Sequence, residues 1–219
     1  MRMNLIKNMK RTAITGGDSS IGHTLVQHFS KDWKVLTCGR RREREFRKDE
    51  GIIDLSWKQD EAEISKSNDR KRSVLGLPID AQVHLLIQNA AIVDPVGLNE
   101  MEAYHLEQAL QANVVVHLVL AQLLSHSLQA NEASEDGRKG RVLRLWTSVA
   151  HRPQRGALTC GVSKKAFYRL HEQLNMEGVV CGSLSPGLAC AKGMRDHVLL
   201  KVSHAGHAST QDIDRCCSR

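Results

Sequence analysis

The stretch GALTCGVSKKAF, residues 156–167, sets a thiol, Cys160, and an ammonium, Lys164, four positions apart in a segment with helical spacing, so the two face the same side of the chain. A free thiol has a pKa of ~8.5, and a neighbouring ammonium lowers it. That pairing points to a proton donor or to a reactive, oxidation-sensitive thiolate. A hydroxyl, Ser148, stands where the apolar run RVLRLWT (141–147) ends, and His151 just beyond it is a candidate proton relay. Tyr168 lies eight residues after Cys160, about 12 Å along a helix at ~1.5 Å per residue, too far to serve the same oxygen; it is expected to pack.

A second kind of chemistry is written into TGGDSSIGHTLVQHF, residues 15–29, where glycines at 16, 17 and 22 precede a helical pattern with apolar residues at 21, 25, 26 and 29. A strand, a tight turn and a helix N-terminus aim free backbone N–H groups and the helix dipole at one point, which suits a dinucleotide pyrophosphate. The candidate residues are Thr15, Gly16, Gly17, Ser19, Ser20, Ile21 and Gly22, with Ser20 placed to cap the helix or bond phosphate. The next apolar run, KVLTC (34–38), leads into Gly39, Arg40 and Arg41. Guanidinium groups there suit a ribose 2′-phosphate, whereas an acid would suit the bare hydroxyl, so NADP(H) is expected over NAD(H).

The elements that must position these groups alternate along the chain. TAIT (12–15), KVLTC (34–38), GIID (51–54), VHLLIQ (83–88), RVLRLWT (141–147) and GVVCGSL (178–184) read as strands. Helical spacing fills 21–30, about 60–75, about 100–127 and about 158–176. Strand and helix in turn predict an α/β fold: a doubly wound parallel sheet covered by helices on both faces. Residues 40–50 and 131–140 are polar and read as solvated connections.

Bulk properties narrow the classes. The 219 residues, 41% hydrophobic and 25% charged, suit one globular domain spanning 1–219. The longest apolar run, NVVVHLVLAQLL (113–124), is short of the ~20 residues a membrane helix needs and carries Asn113, His117 and Gln122, so no membrane partner is expected. The N-terminus lacks an apolar signal core, and six cysteines without a CxxC pair or metal-like spacing suggest reduced thiols, a cytoplasmic location and no metal site. The net charge of +7 is concentrated in RRREREFRK (40–48) and DRKR (69–72). With one aromatic, Phe46, in the first cluster, nucleic acid is not the expected partner.

Seven elements in order resemble the short-chain dehydrogenase/reductase family over residues 11 to about 191: TGGDSSIG, IIDLS, QNAA, LQANVVVHLVLAQLL, LWTSVAHRP, CGVSK and SLSPGLACAKGM. The region from Ala150 to Leu174, with VCGSLSPG, is similar to small cytosolic carbonyl reductases of the benzil and sepiapterin reductase type. The resemblance implies hydride transfer between a nicotinamide and a small carbonyl or alcohol substrate. It implies catalytic roles for Asn113, Ser148 and Lys164, and nucleotide contacts for Asp54, Leu55, Asn89, Ala90, Lys164, Pro186 and Gly187. It also implies that the 100–127 helix packs against a second copy in a homodimer.

Three positions depart from the family pattern. Cys160 stands where the catalytic tyrosine belongs, Ser20 where the middle glycine of the cofactor loop belongs, and Ala191 where a threonine beside the carboxamide belongs. The chain also reads as shortened after Gly187. The sequence therefore predicts an NADP(H)-dependent oxidoreductase impaired at Cys160, with a non-catalytic nucleotide-binding or oligomer-partner protein as the alternative.

Overall fold

The computed structural model describes residues 10–39, 52–56, 82–94, 97–130 and 141–185. The sequence expectations for 40–50, for the 60–75 helix, for 131–140, and for Arg40, Arg41, Pro186, Gly187 and Ala191 lie outside them.

Six strands form one sheet: β1 (Arg11–Thr15), β2 (Lys34–Gly39), β3 (Ile52–Ser56), β4 (Leu85–Gln88), β5 (Arg141–Leu145) and β6 (Cys181–Leu184). Their order is β3-β2-β1-β4-β5-β6 and every pairing is parallel. The winding reverses between β1 and β4, which opens a crevice at the carboxyl ends of those two strands.

Because side chains alternate across a strand, neighbouring residues enter opposite cores. Ala13, Leu36 and Leu86 join Leu120, Leu124, Val142 and Leu174 on one face, while Ile14, Val35 and Ile87 meet Val26 on the other. This is the doubly wound α/β layering that strand and helix in turn require. The second face is covered by α1 (Ser20–Phe29); the first is covered by α2 (Ala103–Leu110) with its continuation α3 (Val116–Ala130), and by α4 (Leu158–Met176).

Several boundaries move from the sequence expectation, each for a local reason. The 178–184 strand begins only at Cys181, because Gly178 at φ 81° turns the chain and Val179 N–H donates back to Leu174 O at 2.9 Å, closing α4. The 83–88 strand begins at Leu85, and Val83 N–H is taken by Ser127 Oγ at 2.6 Å. The 141–147 strand stops at Leu145 and the 51–54 strand runs instead from Ile52 to Ser56. The 100–127 helix lies three residues later, at Ala103–Ala130, and a π-helical turn at Gln111–Val115 links α2 to α3. As one unit, Ala103–Ala130 is long and apolar enough to cross a membrane by length and composition, with an 18-residue window of mean hydropathy 1.3. That exceeds the 12-residue run noted above; His117, Val119, Leu120, Leu123, Leu124 and Leu128 of α3 are buried in the core, which accounts for the apolarity.

Two buried histidines hold the first face together. His117 Nε2 donates to Ala90 O at 2.9 Å, Gln88 Nε2 donates to His117 O at 2.9 Å, and His171 Nε2 donates to Gln88 Oε1 at 2.6 Å. Phe167 lies between the two rings, at 4.7 Å from His117 and 4.8 Å from His171. Neither Nδ1 has a hydrogen-bond partner among the described residues.

Burial pushes both histidines down to about 3; the positive charges of Lys164 beside His117 and of Arg144 beside His171 act the same way. The unfolded chain takes up these protons below pH ~6.5 while the folded chain refuses them until about pH 3, so stability falls as pH drops through that window. The limiting slope is about 1.4 kcal/mol per pH unit for each histidine. Thermal melts from pH 7 to pH 5 should show a falling Tm, and His117→Gln, which keeps an N–H for Ala90 O, should flatten that fall; equal pH dependence in both proteins would contradict the assignment.

Candidate active site

The crevice at the β1–β4 reversal is built by hydrogen bonds from Asn89. Its Nδ2 reaches Thr15 O and Gly16 O at 3.0 Å each and Ser19 Oγ at 3.1 Å. Thr15 returns the contact, its Oγ1 accepting from Asn89 N–H and Ala90 N–H at 2.9 Å each. Gly16 takes φ 65°, a left-handed conformation that side chains rarely adopt. At Gly22 a Cβ would run into the carbonyl oxygen of Gly16 and close on Asn89 Nδ2 at 2.8 Å, so the helix can approach the turn only as glycine.

Ser19 is the N-cap of α1: its Oγ accepts from Gly22 N–H at 3.1 Å and donates to Gly16 O at 2.8 Å. The capping role expected of Ser20 therefore falls one residue earlier. Ser20 is exposed in the first turn of the helix. The amides of Ser20 and Ile21 have no hydrogen-bond partner among the described residues, as the first turn of a helix dictates. Two free N–H groups at the positive end of α1 fit a pyrophosphate. Gly17 packs its backbone on Thr37, the residue paired with Asp54 across β2 and β3; Leu55 pairs with Cys38.

The second half of the site hangs on the π-helical turn. A π turn seats an extra residue and re-aims the side chains in it, and Asn113 inside this one is fully buried. Its Oδ1 accepts from Ile92 N–H at 2.8 Å, and its Nδ2 donates to Ile92 O at 3.0 Å and to Ser163 Oγ at 2.9 Å. Asn113 thus ties the segment after β4 to α4. Thr159 makes a second tie, donating from Oγ1 to Asp94 O at 2.9 Å.

On α4, Cys160, Ser163, Lys164 and Phe167 are all buried on the same side. Lys164 meets no carboxylate among the described residues; its Nζ lies 5.3 Å from the Phe167 ring centre. Burial pulls the ammonium down to about 8, against the Cys160 thiol, which favours its charge. Burial likewise raises the Cys160 thiol above its ordinary range, outweighing the pull of Lys164 in the other direction. The reactive, lowered thiol expected from sequence is corrected: desolvation wins because the fold seals the side chain under the helix.

Ser148 opens a 3-10 turn (Ser148–Ala150) directly beyond β5 and is exposed. His151 is held by its neighbours, its ring 5.1 Å from Trp146 and 4.7 Å from Tyr168, with Lys165 Nζ 3.4 Å from Nδ1. Tyr168 packs as expected, under the Arg144 guanidinium at 4.1 Å.

Sequence reasoning overlooked Gln88, His117, Arg144, Ser163 and His171. For Ser163 a signal existed, since position i+3 from Cys160 shares its helix face. Arg144 is a buried cation on β5 whose Nη1 donates to Tyr168 O at 2.8 Å and whose Nε has no partner among the described residues. In RVLRL it reads as an ordinary outward strand position. No group of acids, histidines and cysteines among the described residues could hold a metal.

Iodoacetamide at pH 7.5 should label Cys160 more slowly than a free thiol peptide by at least tenfold, as read by peptide mass mapping; labelling as fast as the peptide would contradict the sealed, protonated thiol.

The short chain dehydrogenase family matches residues 10–189. No curated protein sequence matches the chain. Among solved structures, a short chain dehydrogenase family protein from Francisella tularensis superposes with a TM-score of 0.72 at 14% identity, covering 91% of this chain and 78% of that one. The NADPH-bound carbonyl reductase from chicken fatty liver gives 0.70 at 19%, covering 85% and 82%. A 3-ketoacyl-(acyl-carrier-protein) reductase from Brucella melitensis complexed with NADH gives 0.68 at 20%, covering 92% and 91%. At these identities the superpositions establish the fold, and the match over 10–189 establishes the lineage: the chain belongs to the short-chain dehydrogenase family of NAD(P)-dependent oxidoreductases.

Proposed function

We propose that the chain is an NADP(H)-dependent oxidoreductase of the carbonyl-reductase type whose chemical step is impaired at Cys160. The observation that carries this reading is the contrast between its two halves. The nucleotide turn has its capped helix, free amides and Asn89 lock, whereas the helix face that must deliver a proton presents a short, buried thiol that stays protonated.

When bound, the nucleotide supplies the hydride; Thr15, Gly16, Gly17, Ser19 to Gly22, Asn89 and Ala90 would hold it, with Asp54, Leu55, Pro186 and Gly187 as further contacts. Arg40 and Arg41 favour NADPH by their charge, while the relatives above include one complexed with NADPH and one with NADH. Ser148 polarises the substrate oxygen through its hydroxyl. Lys164 holds the nucleotide ribose and lends its positive charge to the proton donor. Asn113 fixes the backbone against which the relay runs.

A tyrosine at position 160 would carry its oxygen well beyond the reach of the cysteine sulfur, so the proton must cross a gap that only water can bridge. Losing a positioned acid reduces rate by about 10² to 10⁴. The sealed thiol also favours a second reading, a nucleotide-binding protein without turnover that acts as a partner in a homodimer. The exposed Tyr104 on α2 supports packing of the 100–127 helix against another copy. Free thiols at Cys160 and Cys181 fit the proposed cytoplasmic setting.

NADPH consumption should be compared with a panel of small dicarbonyls between this protein and Cys160→Tyr. A gain of 100-fold or more in the variant supports an oxidoreductase disabled at one residue. No turnover by either protein, with NADPH still bound, overturns the oxidoreductase reading in favour of the binding one.

A further inference from the structure

Ser148 and Arg152 are joined across a single turn beyond β5. The Ser148 carbonyl accepts from His151 N–H at 2.9 Å and from Arg152 N–H at 2.8 Å. The second bond is the i to i+4 contact of an α-helical turn, which stacks the two side chains on one face with Cβ atoms roughly 5–6 Å apart. Pro153 has no N–H with which to continue, so the chain leaves the turn there. The rest of the segment shows which way that face looks. Val149, Ala150, Pro153 and Arg155 line a cleft against α4, whereas Ser148 and Arg152 do not line it and are both exposed. They share the other side of the turn.

From Ser148 to Gly156 the chain carries His151, Arg152 and Arg155 and no acid. His151 is turned into the Trp146 and Tyr168 rings, with Lys165 Nζ 3.4 Å from its Nδ1, and Arg155 borders the cleft. Arg152 is therefore the cation of this segment on the Ser148 side. The ion pairs among the described residues join His105 to Asp94 and Arg169 to Glu172, and neither takes up Arg152.

We propose that Arg152 selects the substrate class: its guanidinium takes the carboxylate of a 2-oxo acid whose keto oxygen lies on the Ser148 hydroxyl. The inference rests on the role given to Ser148 under the proposed function and narrows the carbonyl substrate from neutral compounds to acids. Two parallel N–H···O bonds from the guanidinium fix the plane of a carboxylate. In a 2-oxo acid the carboxylate is bonded directly to the keto carbon, so its two polar ends match two groups a single turn apart. Arginine keeps its charge at any working pH, and the preference holds wherever the acid is ionised. A neutral dicarbonyl can use Ser148 but offers Arg152 no charge.

The NADP⁺-loaded chain, which holds no hydride to transfer, should be titrated calorimetrically with phenylglyoxylate and with its methyl ester. The acid should bind at least tenfold tighter than the ester. Arg152→Gln should weaken the acid at least tenfold with Tm and NADP⁺ affinity unchanged, and Arg152→Lys should recover part of the loss. Arg155→Gln, on the cleft side, should keep the preference. No binding of the acid, equal binding of acid and ester, full acid affinity in Arg152→Gln, or the same loss in Arg155→Gln would each overturn the proposal. Turnover by Cys160→Tyr decides the oxidoreductase reading separately. Acid held through Arg152 by a variant that reduces nothing overturns that reading alone; reduction of acid and ester at equal kcat/KM overturns the selection by Arg152 alone.

Discussion

The amide of Asn89 is the contact on which the rest of the site depends. Two N–H donors on one nitrogen serve Thr15 O, Gly16 O and Ser19 Oγ, and the hydroxyl of Thr15 answers by accepting from the next two backbone amides. These bonds close the two strands at the point where the winding reverses, hold Gly16 in its left-handed turn and set the height of the first helix above it. Ser19, held by Asn89, caps the amide of Gly22 and leaves those of Ser20 and Ile21 free at the helix N-terminus.

A second constraint runs through the other face. Gln88 ends β4 immediately before Asn89, and its side chain links His117 on α3 to His171 on α4, while Asn113 links the backbone at Ile92 to Ser163. The crevice and the helix face that carries Cys160 and Lys164 are thereby braced by polar side chains inside an apolar layer. Arg144, Lys164 and the two histidines put several basic groups under α4, where Tyr168 and Glu172 favour the charge of Arg144 and the Cys160 thiol that of Lys164. Desolvation is the largest cause of every shift there, as it is for the thiol of Cys160.

Local pattern carried most of the fold. The alternation of apolar runs and helical spacing predicts the parallel sheet, and 158–176 is bounded in sequence as it is in space, because Gly178 supplies a left-handed stop. Glycines 16 and 22 are legible for the same reason: each answers a backbone demand within a few residues. What sequence could not convey is set at long range. The π turn around Asn113 has no marker in QANVV, since it is stabilised by partners 21 and 50 residues away. The shift of the cap from Ser20 to Ser19 depends on Asn89, 70 residues distant from Ser19. The sign of the Cys160 shift turned on burial, which spacing from Lys164 does not reveal.

The account makes the Asn89 lock the determinant of nucleotide binding, apart from whatever chemistry Cys160 permits. Its most direct test is an equilibrium titration with NADPH, followed by nucleotide fluorescence, of this protein and of Asn89→Leu, with thermal melts of both. The account predicts saturable one-site binding by the unaltered chain and binding at least tenfold weaker in a variant that still melts cooperatively. Failure of the unaltered chain to bind NADPH, or equal affinity in the variant, would contradict it.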